Sequence, residues 1–251
     1  CFGFNMAYGL EVKNSSGYTQ IDSTYGNLQV IATGTTASFG SGTTLSTSLP
    51  SGIGNNAVVF VTPNTTTGTG QNSTVTFWGY IDYSANTFVI GRTLTFSFYQ
   101  GSFNYVICVD GQTPPTSGYG FTTFTSGGSL GFSSTYTDME CVEAHTYTLA
   151  YPVTENLQFN ESSAGWESGT DVEDYYVMIN AMGKVSRIQS SGSIYYRASY
   201  ANYQYEGGIS GNPQYISIGS QWGLTAPVES GTSATIESQD TRTQVIARYN
   251  G

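Results

Sequence analysis

Ser73-Thr-Val-Thr-Phe-Trp-Gly-Tyr-Ile-Asp82 is the stretch on which the reading of this chain turns. It is built of β-branched and aromatic residues, its apolar positions alternate, and it ends on an aspartate. That pattern is a strand with one face inward and one outward. Ala57-Val-Val-Phe-Val-Thr62 and Thr93-Leu-Thr-Phe-Ser-Phe-Tyr99 read the same way. Further strand runs are expected at Phe103 to Val109, Met139 to Tyr151, Tyr175 to Asn180, Ser193 to Arg197, Gln214 to Ile218 and Thr243 to Tyr249. No segment carries an i, i+3, i+4, i+7 stripe over three turns. Val172 to Val185 comes nearest, and its Tyr-Tyr-Val-Met-Ile centre suits a buried strand better. Short strands separated by Gly, Asn, Asp and Ser imply an all-β fold, a β-sandwich or barrel.

The 251 residues allow one large β domain or two of ordinary size. Charged residues make up only 10%, and 7 basic against 17 acidic residues leave a net charge of −10. A nucleic-acid partner would need a basic face to displace counterions from phosphate, so that class is excluded. No apolar run is long enough for a membrane-spanning helix. An aromatic content of 14%, with 20 tyrosines, argues against disorder despite 31 glycines. This lysine-poor, Tyr/Gly/Thr-rich composition is that of an extracellular or virion-type β protein. No cofactor motif is present, and none is expected.

An internal repeat organises the chain. Ala7-Tyr-Gly-Leu-Glu-Val-Lys-Asn-Ser-Ser-Gly-Tyr-Thr-Gln-Ile-Asp-Ser-Thr-Tyr25 recurs as Gly118-Tyr-Gly-Phe-Thr-Thr-Phe-Thr-Ser-Gly-Gly-Ser-Leu-Gly-Phe-Ser-Ser-Thr-Tyr136, an offset of 111 residues between Tyr8 and Tyr119. Each copy reads as strand, glycine-containing turn, strand, with Gly17 and Gly128 at the reversal. Two related units are expected, 1–112 and 118–251, joined by the stiff Thr-Pro-Pro-Thr-Ser connector.

Candidate chemistry is sparse. Asp138 to Asp174 holds nine carboxylates and no basic residue, read first as a solvated acidic face. Asp171, Glu173 and Asp174 are its densest cluster and the candidate calcium ligands, although their spacing is not that of an EF-hand loop. Glu161 with Glu167, or Asp171 with Glu173, are the carboxylate pairs a glycosidase would need. The single histidine, His145, has no nucleophile in a recognisable motif and reads as structural, so no catalysis is expected. Cys108 and Cys141 are expected as buried thiols, with a bridge between them as the alternative. Cys1 to Asn5 reads as an extension upstream of Met6, and a lipid-modified Cys1 is the other reading. Four Asn-x-Ser/Thr triplets, at Asn14, Asn64, Asn72 and Asn160, are about what chance provides where roughly a quarter of residues are Ser or Thr. Only Arg92 offers a trypsin-type site between Lys13 and Lys184.

Trp78, Trp166 and Trp222 are candidate stacking faces for a glycan. Tyr195, Tyr196, Tyr200, Tyr203 and Tyr205, with Phe77 and Tyr80, are candidate contacts to neighbouring subunits, since tyrosine joins a rigid apolar ring to a polar tip. The alternative for all of these is ordinary core packing. Ser73 to Asp82 and Thr93 to Tyr99 hold neither Lys nor Pro, so as sheet edges they would be open to pairing with another chain. Such an interface is expected to be apolar and to survive high salt.

Tyr8-Gly-Leu-Glu-Val-Lys-Asn-Ser-Ser-Gly17, followed by Ile21-Asp-Ser23, resembles the start of a family of bacteriophage tail proteins. In that family a Tyr-Gly-Leu strand leads through an Asn-x-Ser-Gly turn to an apolar-Asp-Ser strand end. The second copy, Gly118 to Ser134, resembles the mid-chain repeat of the same hairpin, with Thr125 in place of the asparagine. The resemblance covers about forty residues. It implies a non-enzymatic virion structural protein, a tail-fibre or tail-tip component that assembles as a trimer and contributes to host-surface attachment. A capsid-surface decoration protein or a bacterial surface filament subunit is the alternative.

Overall fold

The computed structural model describes residues 11–13, 19–22, 28–39, 44–64, 74–92, 99–109, 122–124, 130–133, 139–149, 157–160, 175–180, 186–190, 193–205, 213–224 and 240–249. Their first half contributes β1 (Glu11–Lys13), β2 (Thr19–Asp22), β3 (Gln29–Thr35), β4 (Thr44–Ser48), β5 (Ala57–Pro63), β6 (Thr74–Asp82), β7 (Thr87–Arg92) and β8 (Phe103–Val109). The second contributes β9 (Thr122–Phe124), β10 (Leu130–Ser133), β11 (Met139–Leu149), β12 (Leu157–Asn160), β13 (Tyr175–Met178), β14 (Ser186–Ser190), β15 (Ser193–Tyr205), β16 (Pro213–Leu224) and β17 (Asp240–Tyr249). One 3-10 turn, Gly54–Asn56, is the only helical element among the described residues. The chain is all-β.

Two large antiparallel sheets carry the fold. One has six strands in the order β11-β17-β13-β5-β8-β3. The other has seven, in the order β12-β16-β15-β6-β7-β4, with β14 paired to β15 off that path. Along these orders each half of the chain supplies three neighbouring strands to each sheet. Within a half, the first strand after the hairpin pairs with the last. The chain alternates between the sheets from β3 to β6, runs β6 to β7 as a hairpin within the seven-stranded sheet and returns to the six-stranded sheet with β8. β11 to β17 follow the same course with β14 added. This is the winding of a jelly roll with one pair of strands fewer, traced twice.

The repeat holds down to residue register. Lys13 pairs with Thr19 and Val12 with Ile21; 111 residues later Phe124 pairs with Leu130 and Thr123 with Phe132, so both hairpins slip at the same place. On β3, Val30 faces Cys108 and Ala32 faces Ile107, with a bulge between. On β11, Cys141 faces Ala247 and Glu143 faces Ile246, again with a bulge between. The bulge is kept although Val30 and Cys141, or Ala32 and Glu143, share no chemistry. Where the halves join, Met178 lies across from Phe60, and the two occupy equivalent places in their own halves. An approximate two-fold axis therefore passes through that pair.

The expected boundary at 112–118 does not separate independently packed bodies. Both sheets run across the join, through β13 beside β5 and β15 beside β6. The core between the sheets draws Val59, Phe77, Ile90 and Phe103 from the first half and Val177, Tyr203, Ile216 and Ile246 from the second. Phe103 is its aromatic hub, meeting Phe77 edge-on at 4.8 Å, Tyr99 at 5.4 Å and Phe39 at 6.0 Å. Burying a side chain of this size contributes about 1.5–3 kcal/mol, which an isolated three-stranded half-sheet could not collect on both faces.

β5 is buried along nearly its whole length because both of its faces are covered. Val59 and Val61 face the other sheet. Val58 and Phe60 join a second apolar cluster with Val106, Cys108, Met139 and Ala247. The six-stranded sheet curls around that cluster, bringing the starts of its two edge strands together: the Met139 N–H donates to the Leu28 carbonyl at 3.4 Å.

Two expectations are corrected here. Ser73 to Asp82 is not an edge, because β6 lies between β15 and β7. The edges are β3, β11, β4 and β12. Thr93 to Phe98 lies outside the described residues. Arg92 is not a protease site: the side chain is 8% exposed, lies 5.2 Å above the Phe39 ring, and donates from Nη1 to the Tyr99 carbonyl at 2.9 Å.

Candidate functional site

Strand alternation along β6 separates a core face from an outer face. Val75, Phe77 and Ile81 point into the core or pack against it, which leaves Trp78 and Tyr80 on the opposite face of the seven-stranded sheet. Tyr80 is 38% exposed and Trp78 is half-buried. Their ring planes are parallel to within 2°, with centroids 6.0 Å apart. At that distance the two faces overlap only at their margins.

The neighbouring strand explains how the indole lies. Trp78 is paired with Gly91 on β7, and a Cβ on Gly91 would overlap Cε2 and Cζ2 of the indole. Glycine at this position lets the ring settle on the backbone of β7. Tyr80 is paired with Val89.

Beyond Tyr80 the chain reverses through a turn held by Asp82. Its carboxylate accepts from the Ser84 hydroxyl at 2.6 Å and from the Ser84 and Ala85 N–H groups at 3.0 Å. The Ser84 hydroxyl bond is the largest of the effects that hold this carboxyl below its ordinary 3.8. Asn86 takes a left-handed φ of 52°, which asparagine tolerates, and its side-chain amide donates to the Leu49 carbonyl at 3.0 Å. Tyr83, at the tip of this turn, is exposed. The outer sheet face thus carries two parallel aromatic rings beside a pinned turn. Such rings can stack against a flat apolar surface, as the C–H face of a sugar presents.

Of the three tryptophans considered for glycan stacking, Trp78 has this geometry. Trp222 stands on β16 paired with Arg197, and its side chain lies outside the described residues, as does all of Trp166. Three of the candidate contact residues are corrected. Phe77, Tyr203 and Tyr205 are core residues, because they fall on the inward phase of their strands. Tyr203 is fully buried with its hydroxyl donating to the Tyr175 carbonyl at 3.0 Å, and the Val61 carbonyl lies at 3.4 Å. A buried tyrosine needs such an acceptor, and here the central strands of the facing sheet supply it. Tyr195, Tyr196 and Tyr200 lie on β15, paired with β14 and β16, with side chains outside the described residues.

Glu161, Glu167, Asp171, Glu173, Asp174, Gly17 and Gly128 also lie outside the described residues. Among those described, no three His, Cys, Asp or Glu side chains gather where a metal could be held. His145 is paired with Gln244 on β17, and Cys141 with Ala247. Cys108 is a buried thiol, not a disulfide.

The core also holds two buried amides. Gln244 is fully buried, with Nε2 donating to the Met178 carbonyl at 2.6 Å. The signal was present, since Gln244 shares the phase of Ile246. Gln29 is also fully buried, and neither of its carboxamide atoms has a partner among the described residues. The bulge after Val30 breaks the phase there, so alternation does not place it. Compared with protein-family models, curated proteins and solved structures, the chain matches none.

Proposed function

We propose that this chain is a non-enzymatic structural subunit of a virus particle, a bacteriophage tail-fibre or tail-tip component whose function is its contacts. The observation that carries the reading is the duplicated jelly-roll winding, in which two equivalent units share both sheets and one core. A fold of this kind resists dilution and proteolysis because its stability comes from pairing between distant segments of the chain. The resemblance of Tyr8 to Gly17 and of Gly118 to Ser134 to tail-protein hairpins supports the same reading. The Trp78–Tyr80 face supports a role in attachment to host-surface glycan.

The jelly-roll strand order gives a specific reason to keep a second reading, a capsid-surface protein, since this winding recurs in viral shells. Gold-labelled antibody on intact particles in the electron microscope separates them. Label at the tail supports the first reading and label over the shell the second. Label on bacterial surface filaments would overturn both.

A further inference from the structure

The two ends of the seven-stranded sheet are equivalent by fold but differ in charge, one uncharged and the other acidic. One end is β4 and the other β12. No charged residue occurs between Asp22 and Asp82, a stretch that contains all of β3, β4 and β5. The equivalent segment of the second half is the acidic run from Asp138 to Asp174, in which β12 is followed directly by Glu161. On the six-stranded sheet the contrast appears position by position, with Gln29 and Ala32 standing where Glu140 and Glu143 stand on β11.

Natural sheet edges are blunted by charge, proline or a bulge. The edges β3 and β11 each carry a bulge, and the β12 end lies in a run of carboxylates. β4 has none of these devices. Thr44-Leu-Ser-Thr-Ser48 pairs with β7 in unbroken register, and Thr44, Ser46 and Ser48 are exposed. Among the described residues nothing pairs with its other side.

We propose that β4 is a self-association edge, where a second copy of this chain pairs antiparallel about a two-fold axis at Ser46; this rests on the reading of the chain as a structural subunit and sets a dimer in place of the trimer that the tail-fibre resemblance implies. A second copy is the occupant for two reasons. In a chain of net charge −10, contact between copies is opposed wherever acidic surface meets acidic surface, and the β4 end is free of that opposition. The segment is also self-complementary: turned about Ser46 it sets Thr44 against Ser48 and Leu45 against Thr47, which are hydroxyl and apolar cross-strand pairs. The contact closes after two copies, because the β12 end repels its like.

The test uses the full chain in sedimentation velocity over a concentration series. The wild type is expected to form a dimer. Ser46→Lys and Ser46→Asp each place like charges opposite one another at the axis, and each is expected to be monomeric alone. Mixed, they are expected to recover the dimer. Ser46 is exposed, so circular dichroism should show both variants folded. A wild-type monomer at every concentration, a trimer, or a dimer indifferent to both substitutions overturns the β4 site. The particle-labelling experiment reports independently on the assembly reading, so either can fail alone.

Discussion

Tyr203→Phe is the smallest change that reports on how the two sheets are held together. The ring sits on β15 in the seven-stranded sheet, 5.9 Å from the Phe77 ring, while its hydroxyl reaches the Tyr175 carbonyl on β13 at 3.0 Å. Removing the hydroxyl deletes one buried hydrogen bond between the sheets. The expected loss is about 1–2 kcal/mol. Tyr203→Ala also empties the ring site, for about 3–5 kcal/mol by analogy with Phe→Ala. In urea denaturation followed by circular dichroism, Tyr203→Phe should lower the midpoint at unchanged slope. For a chain of this length the melting temperature should fall by roughly 2–8 °C. Burial, the largest effect, pushes the Tyr203 phenol well above its ordinary 10.0. A raised folded-state value leaves stability intact below pH 10 and erodes it above, as the unfolded chain gains an ionised phenol that the folded chain cannot match. That alkaline loss should shrink in Tyr203→Phe. A Tyr203→Phe variant as stable as wild type, with the same alkaline profile, would refute the placement of this hydroxyl.

Gln29→Met should stabilise the protein by about 1–3 kcal/mol, since a fully buried carboxamide with no partner among the described residues gives way to an apolar side chain of similar length; a lower urea midpoint would show that the amide is satisfied. Gly91→Ala should lift the Trp78 indole off β7 without unfolding the sheet, seen as a red shift and stronger quenching of tryptophan fluorescence against a Trp78→Phe control; an unchanged spectrum would mean the ring lies elsewhere. Asp82 should titrate below 3.8 in side-chain carboxyl NMR, so its contribution to the turn is present above that pH and is lost as pH falls through the lowered value; Ser84→Ala should bring the titration back up.

Much of this protein is legible without a structure. Val75, Phe77 and Ile81 alternate with Trp78 and Tyr80, and Phe103 to Val109 is a strand to the residue, because covering a sheet leaves a local period of two in the sequence. The hairpin repeat, with its constant offset, is equally a matter of order along the chain. β4 was passed over because an edge strand buries little, and Thr-Leu-Ser-Thr-Ser offers one apolar residue as its signal. The same holds for the edge strand β12, whereas β7 lies inside the sheet and its short Phe88-Val-Ile90 run is too brief to declare a period. Alternation divides residues into two faces but does not say which face meets the core, and so Tyr80 and Tyr203 looked alike. Tertiary structure decided that Tyr80 is outside and Tyr203 inside. It also decided that the repeats merge into shared sheets instead of standing apart. Both outcomes depend on pairing between residues more than a hundred positions apart, such as Phe60 with Met178 and Phe77 with Ala201. Those contacts are settled by the burial of whole faces at once, which no local stretch of sequence encodes.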